Sequence, residues 1–432
     1  MRTHLTARRA AVALAAAVAL TVPLAACGTS SGAEPGGTSQ LELWTFLDPA
    51  SDDARGKALK QVVEGFNASQ DDVEVTVRSI NYAQIDAEVI RATSSGQGPD
   101  ILNVYSTQLA THVDAGTLQP LADVAGADLD TLKDDSIFPF DGVTFDGEVM
   151  SVPWEVRAWM LWYRQDLLDQ IGASLPTTSA ELVDVAARLV AETDVTTGLA
   201  IGFSDQGLGA DFVEKFIPFT WANGGEVLDG AGEPVFADDA GVAALGMMAD
   251  LHDAGAFGDE ALSMTADDVV QGVAAGTIAM AVEGTQRVGA ARAGDGIGDN
   301  LQVAPAPFDA SGPLPTAVAG QTMGIGANSA DPEGAWKFIE YYTSVESATA
   351  FAEAGVLPSR SSVYDTDAFS ALGNADELRG WREYIAEHGR AEVTSTRFNE
   401  LSSALVSAGQ KAVFQGEDPL AALTAAASAY GG

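Results

Sequence analysis

With 61 acids, four histidines and one cysteine in 432 residues, the first question is which of these groups are spaced to react. Paired carboxylates cleave glycosides, but at this abundance of acids chance pairs are common and none stands out. Gly202-Phe203-Ser204-Asp205-Gln206 misses the nucleophile-elbow pattern because Gln206 occupies the place of its second glycine. GDGIGD, from Gly294 to Asp299, fails the dinucleotide fingerprint at its last position and has no clear strand before it. His112, His252 and His388 lie far apart and without zinc-ligand spacing. Tyr341 and Tyr342 are adjacent phenols of the kind that hold ferric iron, yet they fall inside AWKFIEYYTS, whose periodicity predicts a packed amphipathic helix. What remains is the chemistry of recognition, in which flat rings stand beside planar polar groups. Trp44 ends an alternating segment, and Trp221 stands in a polar loop two residues before Asn223-Gly224-Gly225. Glu155 and Arg157 share one face if Pro153 to Arg157 is extended. No catalytic residue, cofactor or metal site is assigned.

These residues need elements to hold them. Leu41 to Phe46 alternates as a strand, and Leu59, Val62, Val63 and Phe66 recur at helical spacing. Val73, Val75 and Val77 mark a second strand, Ile85, Val89 and Ile90 a second helix, and ILNVY after Gly98-Pro99-Asp100 a third strand. Strand, helix, strand, helix, strand predicts a parallel α/β sheet with right-handed crossovers, whose ligands sit beyond the carboxyl ends of the strands. That rim carries Trp44 to Asp48, Asn81-Tyr82 and Asn103 to Ser106. Further on the pattern predicts helices around 180–191 and 241–254, a Gly-rich turn at 223–232, and short strands at 277–282 and 301–304. Asp331 and Pro332 open another helix as N-cap and first residue. Trp336 and Trp381, in helical contexts, are read as packing residues. The length allows two lobes.

The single cysteine explains itself by position. Arg2, Arg8 and Arg9 precede an apolar run from Ala10 to Leu20 that is too short to span a bilayer as a stable helix, the pattern of a secretory leader. Leu24-Ala25-Ala26-Cys27 resembles a bacterial lipobox, whose cysteine is acylated and becomes the new N-terminus. GTSSGAEPGGTSQ then has the composition of a flexible tether. The chain carries −39 formal charge, which excludes nucleic acid as a partner and leaves an acyl anchor as the means of membrane contact.

Several segments occur together in a known order: LELWTF; SSGQGPDILNV with DAGTLQPLADV; GEVMSVPWEVRAWMLWYRQDLL; FTWANGG; VAAGTIAMAVEGTQ; NSADPEGAWKFIEYYTSVES; GVLPSR; and FQGEDPLAAL. In this order they resemble the extracellular solute-binding proteins of ABC importers, in particular the carbohydrate-binding group that includes maltose-binding protein. The resemblance implies an α/β, two-lobe periplasmic-binding-protein fold of type II, with a ligand cleft between lobes joined by about three hinge crossovers. The expected division is a leader at 1–26, a tether at 27–39, lobe one at 40–152 plus 306–345, and lobe two at 153–305 plus 346–432. The expected function is hinge-bending capture of a sugar or oligosaccharide by a monomer lipidated at Cys27 on the extracellular face of the cytoplasmic membrane, with delivery to an ABC permease. A surface glycoside hydrolase, or a binding protein for a polyamine or ferric iron, is the alternative. The count of carboxylates lining the cleft is what separates a sugar from a cation.

A sugar presents C–H faces and hydroxyls, so its site combines aromatic platforms with polar groups. On the resemblance, the expected ligand-binding residues are Trp44, Asp48, Tyr82, Tyr105, Glu155, Arg157, Trp221, Asn223, Glu283, Gln286, Gln321 and Arg360. Trp44 has an inward-facing alternative, Glu155 and Arg157 that of a hinge salt bridge, Gln321 that of an ordinary turn, and Arg360 a structural one. Gln286 stands where relatives often carry an aromatic platform, which favours hydrogen bonding there. Arg164 departs from the usual Asn and is read as a surface change.

Overall fold

The computed structural model describes residues 37–206, 210–309 and 312–431. Cys27, the leader and most of the tether lie outside them. Two β-sheets organise the body. In the first, Ser39–Thr45 lies between Val73–Ser79 and Ile101–Tyr105, parallel to both, and Gln321–Gly326 continues the sheet antiparallel to Ile101–Tyr105. Helices Ala54–Ser69 and Ile85–Ser94 make the crossovers. They form where apolar spacing predicts: Leu59, Val62, Val63 and Phe66 are all buried, and Asp53 caps the first helix by accepting from the Gly56 amide at 2.9 Å.

The second sheet is built around Glu155–Arg164. Thr316–Ala319, Ile278–Gly284, Leu301–Ala304 and Leu357–Pro358 all pair with this strand, while Gly389–Ala391 and Thr197–Ala200 form the flanks. Nine of its ten residues are buried, as expected of a central strand covered by helices on both faces. Alternation sends Ala158, Met160 and Trp162 into one apolar core and Trp159 and Leu161 into the other. The first core runs from the first sheet through the hinge. The second lies under helices Ser179–Glu192, Ala210–Ala222, Asp239–Asp253 and Phe398–Gln415.

Three segments pass between the sheets. Val152–Pro153 pairs with Gln321–Gly326 in the first sheet, and from Glu155 the same chain belongs to the second. Thr316–Ala319 lies in the second sheet and Gln321–Gly326 in the first, with Gly320 as the joint. The third passage joins helix Ala375–His388, which buries Leu378, Trp381 and Ile385 in the first core, to helix Phe398–Gln415 in the second. The lobe boundaries therefore differ from those expected. The chain crosses at Gly320 rather than near 306, because Thr316–Ala319 hydrogen-bonds to the central strand of lobe two. Helix Val345–Glu353 packs on helix Ala54–Ser69 of lobe one.

Gly320 is required by contact. A Cβ there would stand 1.9 Å from the carbonyl oxygen of Glu155, and Ser106 and Gly320 exchange hydrogen bonds at 2.9 and 3.2 Å across the same joint. Gly320→Ala should therefore destabilise the protein by about 3 kcal/mol in urea unfolding, since neither backbone can yield without breaking sheet pairing. Gly246→Ala, in mid-helix with nothing within 4 Å, should be neutral or stabilise by about 0.5–1 kcal/mol. Equal effects at the two positions would show that the joint is not close-packed.

Candidate functional site

Where the first crossing strand leaves the first lobe, alternation puts Glu155 and Arg157 on one face. Glu155 is fully buried. Its Oε1 accepts from Arg157 Nε at 2.6 Å and its Oε2 from Arg55 Nη2 at 2.5 Å, Arg55 standing in the first turn of helix Ala54–Ser69. Burial works to raise the Glu155 pKa, but the charges and hydrogen bonds of the two guanidiniums prevail and hold the carboxylate ionised below its ordinary range. Arg157 is 8 % exposed, and its guanidinium carbon stands 5.0 Å from the centre of the Tyr105 ring. Its Nε is fixed by Glu155, while its terminal nitrogens make no hydrogen bond among the described residues.

Above this floor stand groups from both lobes. Tyr82 is 48 % exposed and meets Phe46 edge-on at 5.3 Å. Desolvation nonetheless raises the pKa of its phenol, and the charges acting on it include Arg157 and Glu155 at the hinge and Glu214 of lobe two. A ring that is open to solvent yet crowded in this way lies on a concave wall. Tyr105 is desolvated more strongly and feels Glu392, Arg157 and Glu214.

The lobe-two wall comes from helix Ala210–Ala222, where Asp211, Glu214 and Lys215 fall at i, i+3 and i+4 on one side. Lys215 Nζ lies 2.5 Å from Asp211 Oδ1 and 3.2 Å from Glu283 Oε1, with all three side chains buried. Asp211 also accepts from the Gly202 amide. Two acids thus compete for one ammonium. Burial and the Asp211 charge push Glu283 up to about 8 against the pull of Lys215, while Asp211 is held low by Lys215 despite its burial. Glu214 accepts from Trp159 Nε1 at 2.7 Å, and burial holds its pKa above the ordinary value. Glu392 is 7 % exposed on the third crossing, where its amide donates to Val318 O at 3.0 Å and its Oε2 has no hydrogen-bond partner. Burial and repulsion from Glu214 drive its pKa well up, against Arg157 and Tyr105.

Of the residues expected from the sequence, Tyr82, Tyr105, Glu155 and Arg157 come together here, with Glu283 one layer behind. The others do not. Trp44 is 2 % exposed, donates to Glu42 Oε2 at 2.6 Å and lies 4.1 Å under the Arg78 guanidinium, so the inward-facing alternative holds. Trp221 is in the last turn of a helix rather than in a polar loop. Its ring is buried in the second core and covered by Arg390 at 4.4 Å. Asn223 is exposed and caps that helix through Nδ2 to Phe219 O at 2.8 Å. Asp48, also exposed, accepts from the Ala50 amide in a turn. Gln286 folds back over Gly284. Gln321 is buried behind the floor, accepting at Oε1 from Asn103, whose Oδ1 accepts from Trp154 Nε1. Arg360 is structural, its Nε donating to Asp135 Oδ2 at 2.8 Å.

Sequence reasoning missed Arg55, Glu214 and Glu392. Arg55 follows Asp48, the end of the first strand's rim, by seven residues and was within reach of a rim argument. Glu214 required reading DFVEKFIPFTWA as helix through Pro218, and Glu392, in GRAEVTSTR, carries no local signal.

Residues 50–349 match the family described as bacterial extracellular solute-binding protein. The sn-glycerol-3-phosphate-binding periplasmic protein of Shigella dysenteriae is 28 % identical over 185 residues, 39 % of this chain and 41 % of that protein. The galactooligosaccharide-binding protein of Bacillus subtilis is 29 % identical over 178 residues, 40 % of this chain and 39 % of that one. The chain thus spans about two fifths of the length of the curated relatives it matches. Among solved structures, the GacH receptor of Streptomyces glaucescens, determined unliganded and with acarbose, superposes with a TM-score of 0.78 at 22 % identity over 91 % of this chain and 97 % of that one. The cyclic α-maltosyl-1,6-maltose binding protein of Arthrobacter globiformis gives 0.78 and 22 % over 91 % and 98 %. These likenesses establish the two-lobe fold.

The raised Glu283 pKa has a measurable sign. Between the ordinary carboxyl range and about 8 the folded protein keeps a proton that the unfolded chain has released, so stability falls as pH rises through that window and levels off above it. In urea unfolding at stepped pH, Glu283→Gln should remove up to about 1.4 kcal/mol per pH unit of that slope. Parallel profiles for the two proteins would place the proton elsewhere.

Proposed function

The chain belongs to the bacterial extracellular solute-binding protein family, and on that premise we propose that it captures a sugar or oligosaccharide between its lobes and presents the closed form to an ABC permease. The observation that carries this reading is the Arg55–Glu155–Arg157 network on the crossing strand, in which Arg157 is held by Glu155 through Nε, with the Tyr105 ring at its guanidinium, Phe46 beneath Arg55 and Tyr82 edge-on to Phe46. A guanidinium fork suits two neighbouring hydroxyls, and the rings suit the C–H faces between them. Residues from both lobes and from the first and third crossings contribute to it, so a ligand touching them favours the closed arrangement through contacts the open one lacks. The saccharides named for the solved relatives, acarbose and cyclic maltosyl-maltose, support the class.

The protein acts by binding, not turnover. Glu155, Asp211 and Glu283 are engaged with buried bases, which suits fixed geometry better than proton transfer. The N-terminal segment serves localisation: residues 1–26 as leader, Cys27 as the acylated N-terminus, and 27–39 as a tether. No helix of the described residues is long and apolar enough to cross a membrane, and two or more acyl chains suffice for durable attachment.

Tyr82 offers a clean test because its half-exposed ring contributes little packing. Tyr82→Ala should weaken the best saccharide found in a thermal-shift screen by about tenfold or more in calorimetry, with the melting temperature of the free protein almost unchanged. Saturating ligand should also reduce the wild-type radius in small-angle scattering. Normal affinity in the variant together with an unchanged radius would move the site elsewhere. Mass spectrometry of protein taken from its native membrane should find Cys27 N-terminal and acylated, and an unmodified thiol would remove the anchor.

A further inference from the structure

Charge around the hinge floor is unevenly matched. Arg55 and Arg157 share Glu155, Lys215 lies between Asp211 and Glu283, and Arg287 meets Asp267 at 2.9 Å. Glu214 and Glu392 have no ion-pair partner among the described residues. Glu214 is held by Trp159 at one oxygen, and Glu392 leaves Oε2 buried with no hydrogen bond. Burying a carboxylate oxygen without a donor is costly, and a second acid within electrostatic range increases the cost. Both charges act on Tyr105, Glu214 from helix Ala210–Ala222 and Glu392 from the third crossing. The chain's −39 charge makes the surrounding potential favourable to a cation.

The geometry points to a cation-receptive subsite at Glu214 and Glu392, so that the preferred ligand is a saccharide bearing a protonated amine. This rests on the saccharide reading above and narrows it. A polyamine fits less well, because the free fork of Arg157 repels a second cation and needs oxygen acceptors. A sugar with one amino group supplies both, placing hydroxyls at Arg157 and an ammonium at the donor-less Glu392 Oε2 and the Glu214 carboxylate. The raised pKa values of both acids agree, since a ligand ammonium replaces the proton that burial otherwise retains.

The test is calorimetry on the full-length protein at slightly acid pH, with glucosamine and β-1,4-linked glucosamine di- and trisaccharides set against their N-acetylated counterparts and against maltose. The expected result is that at least one amine binds about tenfold or more tighter than its N-acetyl form. Glu392→Gln, nearly isosteric, should bring that ratio close to one by weakening the amine more than its N-acetyl counterpart, and Glu214→Gln provides a second variant should the first fold poorly. No amine preference, or a preference that survives both substitutions, overturns the subsite. Neutral sugars that bind and close the lobes with no amine advantage would retain the proposed function and reject this inference. No binding by any saccharide rejects both.

Discussion

Everything at the centre of the molecule depends on one buried carboxylate. Glu155 lies where the first crossing strand passes between the sheets, and burying its charge is tolerable only because Arg55 from lobe one and Arg157 from the same strand both bind it. The arrangement fixes several things together. It ties helix Ala54–Ser69 to the hinge and aims the remaining Arg157 nitrogens away from Glu155. It also places a net positive floor beneath an acidic lobe-two wall. Removing either arginine would leave the carboxylate under-compensated, so any change to the candidate site at this point is also a change to the stability of the fold.

The crossings are tied to one another directly behind this floor. Trp154, Asn103 and Gln321 form a hydrogen-bonded chain behind Glu155, linking the first crossing to the second. Gly320 lets the two backbones approach more closely than any side chain allows. The third crossing carries Glu392 immediately after Gly389–Ala391, a strand that reaches Glu155–Arg164 through Thr316–Ala319. Groups on the first two passages are thus anchored in both sheets, whereas those on the third follow lobe two.

The three parallel strands and two crossover helices of lobe one were legible, because they follow one another with clear periods and each apolar residue named for the helix Ala54–Ser69 is buried, whereas the antiparallel strand Gln321–Gly326 that extends the sheet was not. Lobe two was harder to read. A strand buried on both faces, EVRAWMLWYR, shows no alternation, and helix Ala210–Ala222 contains Pro218, which argues against a helix in a sequence read alone. The misplacement of Trp221 follows directly: its motif suggested a turn, but the turn begins only after the ring has been buried by the helix. Of the site, residues near a strand's carboxyl end or on the crossing were found. Glu392 was not, because the property that singles it out, an oxygen without a donor, exists only once three distant segments have met.

The two-residue repeat of the central strand has an evolutionary consequence. Arg157, Trp159 and Leu161 share one face while Ala158, Met160 and Trp162 share the other, so one residue inserted after Trp154 would exchange the two sets along the whole strand. The hinge can change by substitution but not by length. Changes of length are tolerated best in exposed turns such as the one joining Leu228 to Pro234. Lineages descending from this protein should then diverge in what they bind through side-chain replacement on a floor of constant length, with rim loops of varying size setting how long a ligand the cleft admits.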